Sequence, residues 1–130
     1  MPETAINWRI WIAQGDQYFK AAAPEGRKSK LNAAIRYNML SMAFEGYVMA
    51  ITDFYKNLPE NHTYTDLLNA LDQVQPIDAS LKERILRYEN IQSICSIEKY
   101  HTVDPSEEDL EDLEGAIREI AVIARRTCVD

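Results

Sequence analysis

The sequence predicts an all-α protein, an up-and-down four-helix bundle with one additional short helix, in a single domain over residues 1–130. Apolar residues recur at helical spacing nearly throughout. The five prolines, and Gly26 among the four glycines, fall between those periodic segments or near their ends. No run alternates apolar and polar residues for long enough to make a strand. At 46% hydrophobic and 27% charged residues, the chain is too apolar to be disordered and long enough to bury one core.

The first helix is expected over about residues 4–23. Ile6, Ile10, Ala13 and Gln17 share one side, and Trp8, Trp11, Ile12 and Phe19 widen the stripe. Pro24 and Gly26 break it. The second and longest helix is expected over about 29–57, apolar on nearly all sides, as a helix packed against several neighbours would be. Gly46 in its middle costs about 1 kcal/mol relative to alanine, which close approach of another helix would offset. A short helix follows over 64–74, with Thr63 as cap and Leu67, Leu68 and Leu71 as its apolar face. The fourth is expected over about 79–100 behind Asp78. Its inward residues are Leu81, Ile85, Tyr88, Ile91, Ile94 and Cys95. The fifth is expected to begin with Asp104 as N-cap and Pro105 as first helical residue, then to bury Leu110, Leu113, Ile117, Ile120, Ala121 and Ile123.

Twenty-one acids against fourteen bases give a net charge of -7, and one segment causes it. Asp104, Glu107, Glu108, Asp109, Glu111, Asp112 and Glu114 are seven acids with no base between them; the rest of the chain is neutral. Broad attraction to nucleic-acid backbones is therefore disfavoured, while a local phosphate site elsewhere is not. The early acids stabilise the first turn of the last helix. The later ones read as a solvated face or as a surface for a basic partner. No stretch resembles a membrane span or a secretion signal, and Cys95 and Cys128 make no disulfide framework, so a cytoplasmic location is expected.

Motifs with chemistry are few. Glu98-x-x-His101 is one carboxylate–imidazole pair where a di-iron centre needs two, so no metal and no cofactor is expected. Nucleophile elbows and phosphate-cradling glycine loops do not occur. Arg27, Lys28 and Lys30, with Arg36 further on, lie at the start of the second helix, either as an anion site or as a solvated loop. Arg84 and Arg87 are one turn apart beside Tyr88, close enough to approach one phosphate, or else surface charges flanking a core tyrosine. Trp8, Trp11, Tyr18 and Phe19 exceed what one narrow stripe buries, and a dimer contact is the alternative use.

The order of elements resembles the HEPN domain (higher eukaryotes and prokaryotes nucleotide-binding domain) over nearly the whole chain. The residues that carry the likeness are Ala33-Ala34-Ile35-Arg36-Tyr37 through Ala43-Phe44-Glu45-Gly46, His62-Thr63-Tyr64 opening the short helix, and Tyr100-His101 leading to Asp104-Pro105. The resemblance implies a homodimer. It also implies either a non-catalytic binding module or a ribonuclease toxin paired with a nucleotidyltransferase-type partner protein.

The ribonuclease branch of that family uses an arginine followed within a few residues by a histidine. Here thirteen residues separate Arg87 from His101, and His62 has no arginine in the six residues before it. No catalytic residue can be carried over. The expectation is a non-catalytic, HEPN-like binding or regulatory protein that engages a nucleotide, RNA or a protein, with Arg84, Arg87, Tyr88, Lys99 and His101 as ligand residues. The alternatives are a toxin with an altered active site and a helical adaptor using the acidic last helix.

Overall fold

The computed structural model describes residues 7–24, 32–89 and 105–129. Among them are five α-helices and no strand: α1 Trp8–Ala22, α2 Ala33–Phe54, α3 Tyr64–Val74, α4 Ala79–Leu86 and α5 Glu107–Thr127. The all-α expectation holds. No helix of the described residues is long and apolar enough to cross a membrane.

Side-chain caps set the helix starts. Asn7 Oδ1 accepts the Arg9 N–H at 2.9 Å, and Asn32 Oδ1 accepts the Ile35 N–H at 2.9 Å. These caps place α1 and α2 a few residues later than expected. Thr63 Oγ1 accepts the Asp66 N–H at 3.0 Å, so α3 occupies the span read from the sequence. Asp78 precedes α4 but makes no side-chain cap bond.

Two boundaries differ from expectation for a visible reason. Ser106, not Asp104, is the N-cap of α5. Its Oγ accepts the Asp109 N–H at 3.0 Å while the Asp109 carboxylate accepts the Ser106 N–H at 3.2 Å. This reciprocal box satisfies donors at the helix start and leaves Pro105 buried just outside it. Regular α4 ends at Leu86 rather than running on to Tyr100. The Tyr88 N–H tightens onto the Ile85 carbonyl at 3.1 Å, and the Tyr88 carbonyl accepts the Tyr37 hydroxyl at 2.6 Å. The tertiary hydrogen bond ties the chain just past α4 to α2. Ile91, Ile94 and Cys95 lie outside the described residues.

The face of α1 also differs. Ile10, Ala13 and Gln17 are exposed, whereas Gly15 and Ala22 are buried and Trp8, Trp11, Ile12, Tyr18 and Phe19 pack on the core. The cause is the crossing with α2. A Cβ on Gly46 would meet the Gly15 nitrogen and the Trp11 carbonyl oxygen at 2.9 Å each, and one on Gly15 would meet the Tyr47 ring at 2.9 Å. The helices touch backbone to backbone, so the small residues decide which face turns inward. Trp8 meets Phe54 edge-on, and Arg36 Nε donates to the Ala22 carbonyl, so α1 and α2 run antiparallel.

Helix α2 is central, packing on α1, α3 and α5, while α4 packs on α3 and α5. Between Leu40 and Thr52 every α2 residue except Met42 and Glu45 is buried. Ile35, Asn38 and Met42 form its exposed stripe, so only part of the expected all-round burial is realised. Leu67, Leu68 and Leu71 of α3 and the apolar stripe of α5 complete the core, with Ile123 half-buried at its margin.

After α2 the chain reverses at Lys56, which lies in the left-handed region at φ 59°. Residues 55–63 then return along α2, placing His62 beside Glu45 and Tyr64 beside Ser41. Farther along, Asn57 and Tyr55 meet Gln73 and Gln75. Helix α3 therefore runs in the same sense as α2, and an open cleft remains between the returning segment and α3.

The glycine contacts predict opposite signs for two alanine substitutions. Gly46→Ala forces two backbones apart and should destabilise by about 1–3 kcal/mol. Gly115→Ala places its Cβ no nearer than 3.5 Å to Arg84 Nη2 and should stabilise by up to about 1 kcal/mol. Urea denaturation midpoints check both.

Candidate functional site

Of the five ligand residues expected from the sequence, Arg84, Arg87 and Tyr88 belong to the described residues, and the structure brings them together at the end of α4. Lys99 and His101 lie outside the described residues, as do Arg27, Lys28 and Lys30.

The three described residues converge on one acid. Asp112 Oδ1 lies 3.1 Å from Arg84 Nη2 and accepts from Arg84 Nε at 3.2 Å. Its Oδ2 accepts the Tyr88 hydroxyl at 2.6 Å and lies 3.6 Å from Arg87 Nη1. Arg84 also donates to Glu119 at 2.8 Å and to the Asp112 carbonyl at 3.3 Å. A phosphate at this place would have to displace a carboxylate that already holds two hydrogen-bonded partners.

The electrostatics agree with the geometry. The hydrogen bond from Tyr88, and then the Arg84 charge, hold the Asp112 carboxyl below its ordinary value against the opposing effect of burial. Burial, and then the bond to Asp112, push the Tyr88 hydroxyl up to about 12. The hydrogen bond to Glu119 leads in raising the Arg84 guanidinium further. Each group is fixed in the charge state it already has at neutral pH.

The acidic run is accordingly not a solvated face throughout. Glu107 accepts from Arg36 Nη1 at 3.1 Å and Glu114 from Arg36 Nη2 at 3.2 Å, with Arg118 on the other Glu114 oxygen at 3.2 Å. Arg36 is only 7% exposed. Its fork, together with the Ala22 carbonyl, joins the end of α1, the start of α2 and α5. The sequence reading placed any bound anion far from the acidic run, yet Arg84 and Arg87 lie directly against it. The pairing favours the plainer reading of that cluster, charges flanking a buried tyrosine.

Other reactive groups are also quiet. Burial pushes the Cys128 thiol up to about 11, and its Sγ donates to the Ala50 carbonyl at 3.4 Å. Desolvation raises the hydroxyls of Tyr47 and Tyr64, which are bound to Asp16 and Ser41. His62 pairs with Glu45 at 2.9 Å on the surface. Among the described residues, no three histidine, cysteine or acidic residues gather as a metal site.

The cleft beside α3 is the site that sequence reasoning missed. It encloses about 360 Å³ and is lined by Asn57, Leu58, Pro59, Glu60 and Asn61 from the returning segment. From α3 come Asp66, Asn69, Ala70 and Gln73, spaced to share one helical face. That i, i+3, i+4, i+7 pattern, close behind a segment with two asparagines, was the available signal.

No protein-family model, curated protein or solved structure matches this chain.

The Asp112 node predicts a definite pH response. Its carboxyl is lower in the folded than in the unfolded chain, so its stabilisation is full above about pH 4 and is lost as pH falls through the folded value. Asp112→Asn should flatten that part of the acid limb. Tyr88 behaves in the opposite sense: its stabilisation is present below its ordinary value of 10.0 and is lost as pH rises toward about 12. Tyr88→Phe should remove this alkaline loss. Urea unfolding across both limbs measures each effect.

Proposed function

We propose that this chain is a non-catalytic, HEPN-like binding module of the cytoplasm, an up-and-down helical bundle that works as a homodimer and engages a protein partner. The bundle arrangement rests on helical periodicity and short connections, the dimer and the family on the sequence resemblance. The preference for a protein over a nucleotide or RNA rests on one observation: both oxygens of Asp112 are already held by Arg84 and Tyr88, with Arg87 beside them. Among the described residues, the two cations expected to meet a phosphate there, Arg84 and Arg87, face acids of α5.

Two further features support this reading. Overall charge is -7, which opposes approach to a polyanion. The cleft beside α3 presents amides and two carboxylates and no cation, which suits a hydrogen-bonding or positively charged group. A substrate phosphate fits neither place.

Light scattering on the purified chain should give twice the chain mass. ATP and short RNAs titrated in about 0.15 M salt should show no saturable binding and no RNA cleavage, with Arg87→Ala behaving as wild type. Cross-linking in cells of origin should identify one protein bound in fixed ratio. Saturable nucleotide or RNA binding that Arg87→Ala abolishes, or a monomeric mass, would overturn the proposal.

A further inference from the structure

The cleft between the segment after α2 and helix α3 carries a particular chemistry. Its polar side chains supply oxygens from Asn57, Glu60, Asn61, Asp66, Asn69 and Gln73. Some are already in use. Asn57 Nδ2 donates to Gln73 Oε1 at 3.1 Å, which leaves the Asn57 carbonyl oxygen, and Asp66 Oδ2 accepts the Thr63 hydroxyl at 2.9 Å, which leaves Oδ1. Glu60, Asn61 and Asn69 make no side-chain hydrogen bond or ion pair within the described residues.

Two sources of negative potential meet there. The lining carries two carboxylates, Glu60 and Asp66, and no basic residue. It also lies just past the C-terminus of α2, a 22-residue helix with no basic residue in its last turn. The negative end of a helix dipole attracts cations. Lys56, beyond the cap, is exposed and does not line the cleft. Leu58, Pro59 and Ala70 add an apolar wall suited to a methylene stem. At about 360 Å³ the space is near the small end of ligand sites, which run from roughly 300 to 1,000 Å³.

We propose that this cleft binds a cationic nitrogen group, an ammonium or guanidinium on an aliphatic stem, with Glu60 and Asp66 balancing its charge and the asparagine oxygens accepting its N–H bonds. The inference rests on the binding-module reading above and names the chemistry that its partner presents: a lysine or arginine side chain. A free polyamine offers the same chemistry, and the test separates the two sources.

Calorimetric titration would use three probes: a short capped peptide with one lysine and one arginine, its analogue with glutamine at both positions, and spermidine. The cationic peptide should bind wild type, weaken as salt is raised, and lose about tenfold or more in affinity in Glu60→Gln/Asp66→Asn. Asn69→Leu, on the exposed side of α3, should block the cleft with an unchanged circular dichroism spectrum and melting temperature. That variant keeps the test valid if the double variant disturbs the Thr63 cap. Tighter binding of the peptide than of spermidine assigns the cation to a protein partner; the reverse order assigns it to a free amine. Equal binding of the glutamine analogue, equal binding by Asn69→Leu, or no binding of either cation by wild type overturns the cleft. Those outcomes are distinct from a failure of the binding-module reading, which shows as nucleotide or RNA binding in the earlier titrations.

Discussion

A buried guanidinium organises this molecule. Arg36 lies inside the junction of α1, α2 and α5, and a charge removed from water must be paired to be tolerated. Its three nitrogens meet the Ala22 carbonyl, Glu107 and Glu114. The same contacts dictate where α5 lies against α2 and how α1 ends. Midway along α1, Asp16 plays a matching part, accepting the Tyr47 hydroxyl at 2.6 Å and pairing with Arg125 near the end of α5. Beside this second node, Gly15 and Gly46 let the α1 and α2 backbones touch.

That arrangement changes what the acidic segment means. As a list of residues it looks like a patch awaiting a basic partner. In the fold, Glu107 and Glu114 hold Arg36, Asp112 holds Arg84 and Tyr88, and Asp109 closes the cap of its own helix. Glu108 and Glu111 stay exposed. The acids act mainly as an internal counter-charge that docks α5 on its neighbours. Arg84 and Arg87, which looked available for phosphate, are among the arginines they hold, so acid and base offset each other in this region.

Much of the architecture was legible from residue order, because helix formation depends on local spacing and local caps. The Thr63 cap, the leucine face of α3 and the α5 stripe all follow from neighbours along the chain, and the mid-helix Gly46 signalled the tight approach of another helix. Less was legible where two elements compete for one group. The chain just past α4 is tied to α2 by the Tyr37 hydroxyl on the Tyr88 carbonyl, and the inward face of α1 depends on Gly15 meeting Tyr47. The start of α5 was readable and was misassigned, since Ser106 and Asp109 form a capping pair at the usual separation.

By itself the sequence determined that the protein is helical, where its helices lie to within a few residues except at the end of α4, and that its charge is concentrated in one segment. These are consequences of periodicity and composition, which need no partner. Only the tertiary structure decided what the charges do. Pairing depends on distances between residues as far apart in the chain as Arg36 and Glu114, or Arg84 and Asp112, and no local rule specifies those distances. The α3 cleft is of the same kind. Its two walls lie close together in sequence, yet they face each other because the chain turns back at Lys56 and α3 then runs alongside α2.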